Sequence, residues 1–220
     1  KRIALTLGVT EGNFSGVISG TGEVHKTGNG TLVLAGSNTH TGETRISAGT
    51  VAVSSDANLG ANGASVVLDG GTLEARQSMT SGKSLDVTAQ GGTLQTELGT
   101  TTVLTGALSG SGSLVKQGAG DLIIAGTSTH TGAISLQQGN MKVHADLIAG
   151  NGLTVFNGTT RGGYGRVGGP VTVLTGGRLS PGASPGTRKH DTPLAPSSPV
   201  RAMTISTSVL PAPEIQHLLP

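Results

Sequence analysis

Four groups of residues in this chain have types and spacings that could do chemistry. Gly163-Tyr164-Gly165-Arg166-Val167-Gly168 fits G-x-G-x-x-G, in which glycines let the backbone approach a dinucleotide pyrophosphate. That site needs a helix opening at the motif and an acidic residue about 20 positions later. Gly169-Pro170 and the apolar run 171–175 follow instead, so the motif reads as a glycine-rich corner. Gly182-Ala183-Ser184-Pro185-Gly186 fits G-x-S-x-G, the nucleophile elbow of serine hydrolases, but Pro185 removes the backbone N–H that would help form the oxyanion hole.

The third group is the six histidines, His25, His40, His130, His144, His190 and His217. No two stand at i, i+2 or i, i+4, so they do not form a local zinc pair and read as exposed turn residues. The fourth is Glu74, Arg76, Asp86 and Glu97, which could stack as a charged stripe on an outer face. Paired carboxylates about 5 to 10 Å apart would be a glycosidase signature. There is no Asp-Asp or Asp-x-Asp cluster, so a solvated face is the better reading. The sequence therefore gives no catalytic, cofactor-binding or metal-ligating residue, and implies no cofactor.

The elements that carry these residues are organised by an internal repeat. Residues 14–53 align without a gap with residues 104–143 at an offset of 90. Gly22, Lys26, Gly28, Gly30, Leu32, Gly36, His40 and Gly49 recur as Gly112, Lys116, Gly118, Gly120, Leu122, Gly126, His130 and Gly139. Apolar positions change conservatively, as Val24 to Leu114 and Ile46 to Leu136, whereas Glu23, Glu43 and Arg45 become Ser113, Ala133 and Ser135. A unit that keeps glycines and aliphatics while most charges drift preserves a backbone path rather than an active site.

Composition narrows the class further. Among 220 residues there are 38 glycines and only three aromatics, Phe14, Phe156 and Tyr164, so the core must be built from Val, Leu, Ile and Ala. Lys and Arg total 14 against 12 Asp and Glu, scattered singly, which gives neither the basic patch nor the stacking residues of a nucleic-acid binder. The absence of cysteine excludes disulfides and thiolate metal sites and suits export in an unfolded state. No run of about 20 apolar residues occurs, and Lys1 opens the chain without an apolar h-region, so it reads as a fragment or mature piece.

Apolar runs of three to five residues, rich in Val, Leu and Ile and bounded by Gly, Asn, Ser or Thr, predict short strands and no long helix. Gly71 and Gly92 each close a Gly-Gly pair, about one solenoid coil apart, where glycine supplies a left-handed corner. An antiparallel sandwich also has short strands, and Asn29-Gly30, Asn62-Gly63 and Asp69-Gly70 are hairpin-like pairs. The gapless repeat favours the solenoid. We expect an all-β parallel β-helix over residues 1–187, with about eight coils stacked about 4.8 Å apart, and repeat copies about four coils apart. On that spacing His40 and His130 occupy distant, equivalent corners. Residues 188–220 hold six of the nine prolines and no glycine, and are expected to be a linker or disordered tail.

The residues Gly22, Lys26, Gly28, Gly30, Leu32, Leu34, Gly36 and Asn38, followed by Thr41, Gly42, Thr44, Ile46, Gly49 and Val51, resemble the passenger-associated repeats of bacterial autotransporters (type V secretion). The second copy matches again, with Ser128 where the family usually has Asn and Ile134 where it usually has Thr. Residues 179–187 resemble the Leu-x-Pro-Gly-x-Ser-Pro-Gly-Thr signature that closes such arrays. The resemblance implies a right-handed parallel β-helix and a non-catalytic stalk that supports stepwise folding, secretion and display. It also implies location at the bacterial cell surface, associated with the outer membrane or secreted. The implied partner is the protein's own C-terminal translocator barrel, with no nucleic acid and no small-molecule cofactor. Two other functions stay open: an adhesin surface for host or neighbouring cells, and a β-helix polysaccharide lyase or hydrolase.

Overall fold

The computed structural model describes residues 11–181 and the backbone of the strands Leu5–Leu7 and Met203–Ile205. The chain winds into a β-solenoid of about eight turns with three faces. The first face is a six-stranded sheet running from Leu5–Leu7 to Leu108–Gly110. The second has ten strands, beginning with Glu11–Phe14. The third has six, from Met79–Ser81 to Arg178–Pro181. Apart from the last strand of the second face, Met203–Ile205, pairing from turn to turn is parallel in these rows, which excludes the antiparallel sandwich. The described residues contain no α-helix, only the 3-10 helix Asp56–Leu59, capped by Ser55.

Each strand is three to five residues long because each inward residue has one neighbour above and one below, and two or three such rungs fill the narrow interior. On the second face Leu32, Val51, Leu73 and Leu94 stand in one register row, and Leu34, Val53 and Ala75 in another. All of these are 5% exposed or less, and each inward Leu or Val contributes about 1.5–3 kcal/mol by burial. With so little aromatic surface and so much glycine entropy to offset, stability resides in the continuity of these rows.

The repeat does not lie where an offset of about four coils would put it. First-face strands begin at Val24, Thr44, Val66, Leu85 and Leu108, so four turns end at Leu108. The copy of Val24 is Leu114, which belongs to the second face. Thus Val24–Lys26 and Thr44–Ile46 line the first face, whereas their equivalents Leu114–Gln117 and Ile134–Leu136 line the second. The unequal lengths of the intervening turns rotate the second copy by one face, and that correction also moves His40 and His130 to different corners.

Of the tail at 188–220, only Met203–Ile205 is described, as a strand antiparallel to Val171–Val173. It does not add a further parallel coil. The rest of the expectation for the tail lies outside the described residues, as do the G-x-S-x-G stretch, His190 and His217.

Candidate functional site

The glycine motif ends the strand Thr160–Gly163 and leads to the strand Val171–Val173, with no helix between. Gly163 has φ +97°, and a Cβ there would sit 2.2 Å from the Val143 carbonyl oxygen of the turn below. The glycine is required by close stacking of turns.

The interior holds something the sequence reading passed over. Lys26 and Lys116, equivalent in the two copies, point into the core and are fully buried. Each replaces an aliphatic rung: Lys116 stands in register between Leu94 and Leu136, and Lys26 beside Ile46. The Lys116 ammonium donates to the carbonyl oxygens of Gln117 (2.8 Å), Gly118 (2.8 Å), Gly120 (3.0 Å) and Gln138 (3.3 Å). Three of these belong to its own corner and the fourth to the next turn. Lys26 donates to Gly28 O of its own corner and to Ala48 O of the next turn (3.3 Å).

A third buried lysine, Lys83, follows the same rule, donating to Gly60 O and Ala61 O, both at 2.9 Å, with Asp56 3.4 Å away. Half-buried Arg161 donates to Gly165 O at 3.0 Å, leaving its buried Nε without a partner.

Burying an ammonium costs several kcal/mol. The three N–H groups are shared among the four carbonyls, and since hydrogen bonds to a charged donor return about 1.5–3 kcal/mol each, the cage offsets the cost where one carbonyl would not. Burial pushes the Lys116 pKa down from 10.5 to about 8, against the pull of Asp121, so the group remains an ammonium at neutral pH. Burial lowers Lys26 as well. The available signal was the recurrence of Lys26 as Lys116 in a repeat whose exposed charges drift.

His40 and His130, expected to be exposed, are 1% and 0% exposed. The corner 36–40 is extended, with Gly36, Asn38 and His40 turned inward, and 126–130 repeats the pattern with Gly126, Ser128 and His130. These stretches act as the missing strand of their face, polar residues replacing its rungs. Asn38 Oδ1 accepts from Ile18 N of the turn below (2.8 Å), and its Nδ2 donates to Asn58 O of the turn above (2.5 Å).

Thr44 Oγ1 donates to Leu59 O (3.3 Å), so it accepts from His40 Nε2–H (3.0 Å), leaving Nδ1 buried and unpaired. His130 uses the other nitrogen, with Nδ1–H donating to Ser109 O (3.3 Å) and Nε2 unpaired. Burial lowers the His40 pKa, with Lys83 adding to the effect.

Outside, the first face carries a chain of polar contacts across four turns. Ser47 Oγ donates to Asp69 Oδ2 (3.1 Å) and accepts from His25 Nε2 (2.7 Å), while Thr88 Oγ1 donates to Asp69 Oδ1 (2.6 Å). The Thr88 hydrogen bond is the main cause holding the Asp69 carboxyl below its usual range, with Ser47 and Arg45 assisting. This is a His–Ser–Asp set without triad order. The serine proton goes to Asp69, and His25 Nε2 carries a proton where a general base needs a lone pair.

The carboxylates divide. Glu74 and Glu97 come together on adjacent turns, whereas Asp86 is on the first face, held by Ser109 Oγ (2.7 Å). Arg76 donates to Glu74 from Nε (3.2 Å) and Nη2 (3.3 Å), and the hydrogen bond with Glu74 raises the Glu97 pKa. Glu74 is therefore engaged by Arg76 and by its contact with Glu97, whereas a glycosidase pair stands about 5 to 10 Å apart across its substrate. His144 stacks on Tyr164, with ring centroids 4.4 Å apart and planes 13° from parallel. No group of three His, Cys, Asp or Glu with metal-binding geometry occurs among the described residues.

Residues 24–53 and 114–143 match the passenger-associated-transport-repeat, so each match contains one caged lysine and one buried histidine. Over 133 residues, 60% of this chain, the sequence is 41% identical to the protein named Adhesin BmaC autotransporter of Brucella suis biovar 1 (strain 1330). The chain spans about 4% of that relative's length. No solved structure matches the chain.

Proposed function

From the premise that this chain carries the repeats of an autotransporter passenger, found at the bacterial cell surface or secreted, we propose that it is a non-catalytic stalk segment that templates its own folding outside the cell. The observation that carries this reading is the repeated lysine cage. Three of the four Lys116 carbonyls and one of the two Lys26 carbonyls come from the lysine's own corner, and in each cage one carbonyl comes from the adjoining turn. A folded turn thus offers the next one an open strand edge and an ammonium with a donor position to fill, which favours the correct register and penalises slippage. In this reading the translocator barrel is the partner through which the segment is exported.

Surface display tests the proposal. A full-length autotransporter carrying this segment with Leu122→Asp should insert its barrel but expose much less protease-accessible passenger. Normal display from a segment shown by circular dichroism to be unfolded would sink the templating role.

The relative's name and a row of hydroxyls on the second face, where Thr31, Thr50 and Thr72 stand in register on successive turns, favour one further reading, an adhesive surface on the same stalk. Binding of the displayed segment to cells, lost when outward threonines are replaced and the fold is intact, is its test.

A further inference from the structure

We infer that the second face is a binding track for an extended, uncharged polysaccharide lying along the solenoid axis. The inference rests on the adhesive reading and names its surface and ligand class. Thr31, Thr50, Thr72 and Thr93 stand in direct register on four successive turns. Val115 interrupts the row, and Ser135, Thr154 and Thr172 resume it. Each of the first four precedes an inward residue, Leu32, Val51, Leu73 or Leu94, so their hydroxyls face outward, and all seven hydroxyl residues are partly exposed. Neighbouring strands place them about 4.8 Å apart.

These hydroxyls make no hydrogen bond to another described residue. By contrast, those of Thr44, Thr88 and Thr159 are used within the protein. Two positions along, Gln95 and Gln117 form a second outward row in register, extended by Gln117 Nε2 donating to Gln137 Oε1 (3.1 Å).

Charge decides the ligand class. In the second-face strands from Thr31 to Val173, Glu74 is the only charged outward side chain, and Arg76 holds it. Charges gather elsewhere, with His25, Arg45 and Asp86 on the first face and Asp121 and Lys142 on the third. An anionic polymer meets beside these strands only Arg76, whose guanidinium is already paired with Glu74, and a nucleic acid finds neither a run of cations nor a stacking surface. Sugar hydroxyls match a row that both donates and accepts. One sugar would gain one or two hydrogen bonds of about 0.5–1.5 kcal/mol each, too little for binding. A polymer whose sugar spacing is close to the strand spacing engages many rungs at once.

The test is electrophoresis of the full chain through gels containing neutral hydroxyethyl cellulose, with polygalacturonate gels as the anionic control. The variant T50V/T72V/T93V keeps β-branched shape, and circular dichroism verifies its fold. The wild type should be retarded by the neutral polymer alone, and the variant should bind about tenfold more weakly, as expected for three lost rungs of a cooperative track. Absent retardation, equal retardation of the folded variant, or retardation only by polygalacturonate would overturn the assignment. Cell binding without retention by the neutral polymer would leave adhesion standing and remove this ligand; loss of both would remove both.

Discussion

The two repeat copies bury the same positions in the same alternation: Leu32, Leu34, Gly36, Asn38 and His40 turn inward, as do Leu122, Ile124, Gly126, Ser128 and His130. Yet the copies line different faces, their lysines are held by two and four carbonyls, and their histidines pair through opposite nitrogens. The repeat therefore encodes a path of strand, corner and strand, whereas the lengths of the turns between copies set the face. An inward ammonium can be satisfied on either face because glycine-rich corners bring carbonyl oxygens within its reach.

A carboxylate placed in the equivalent leucine rows should have the largest effect. Leu122→Asp puts an unpaired charge at a fully buried rung with strands paired on both sides, and should cost on the order of 4–5 kcal/mol, enough to unfold the surrounding turns. Leu32→Asp should cost less, because the turn below it, with Glu11, Asn13 and Phe14 exposed, is already poorly buried. Thermal melts followed by circular dichroism decide the order. An unchanged melt in either variant would refute the inward assignment.

Next come the cages. Lys116→Met keeps much of the side-chain volume but orphans up to four carbonyls, and about 1–3 kcal/mol per unsatisfied group outweighs the relief of burying no charge. We expect a loss of about 2–4 kcal/mol in urea titration, and about half of that for Lys26→Met with its two carbonyl partners. A Lys116→Met variant more stable than the wild type would mean that the cage specifies register at a cost in stability.

The parallel solenoid was legible because strand periodicity, corner glycines and a gapless repeat all encode the backbone path. The rotation of one copy was not, because it depends on summed turn lengths, and first-face strands start at irregular intervals. The buried histidines were missed for a different reason. Corner 36–40 is rich in polar residues and reads as a surface turn, but it is extended and serves as an inner rung. The lysines were half legible: their recurrence is in the sequence, while the carbonyls that make burial tolerable are backbone atoms with no sequence signature.

A smaller effect is expected at the glycine that packs against His40. Gly60 has φ +102°, and a Cβ would fall 2.7 Å from His40 Nε2 and 2.8 Å from His40 O. Gly60→Ala should cost about 2–3 kcal/mol, combining strain with displacement of a buried ring. Gly63→Ala is the control: φ is +90° but the space is open, so only the backbone cost of about 1–2 kcal/mol remains. Equal losses in the two variants would mean that the imidazole yields freely.

The smallest effects are those of pH, and the two copies should respond on opposite sides of neutrality. Lys116 has a folded pKa of about 8 against 10.5, so between these values the unfolded chain binds more protons and stability rises with pH. Lys116→Met should flatten that rise. His40 is also lowered, from 6.5, so the unfolded chain takes up its proton first and stability falls as pH drops below 6.5. Protonation would place a second cation near Lys83, whose own carboxylate partner, Asp56, also accepts from Ser81. Urea midpoints at pH 7.0 and 5.5 should therefore separate in the wild type and converge in His40→Gln. A persistent separation in that variant would assign the acid sensitivity elsewhere and leave the unpaired Nδ1 of His40 energetically silent.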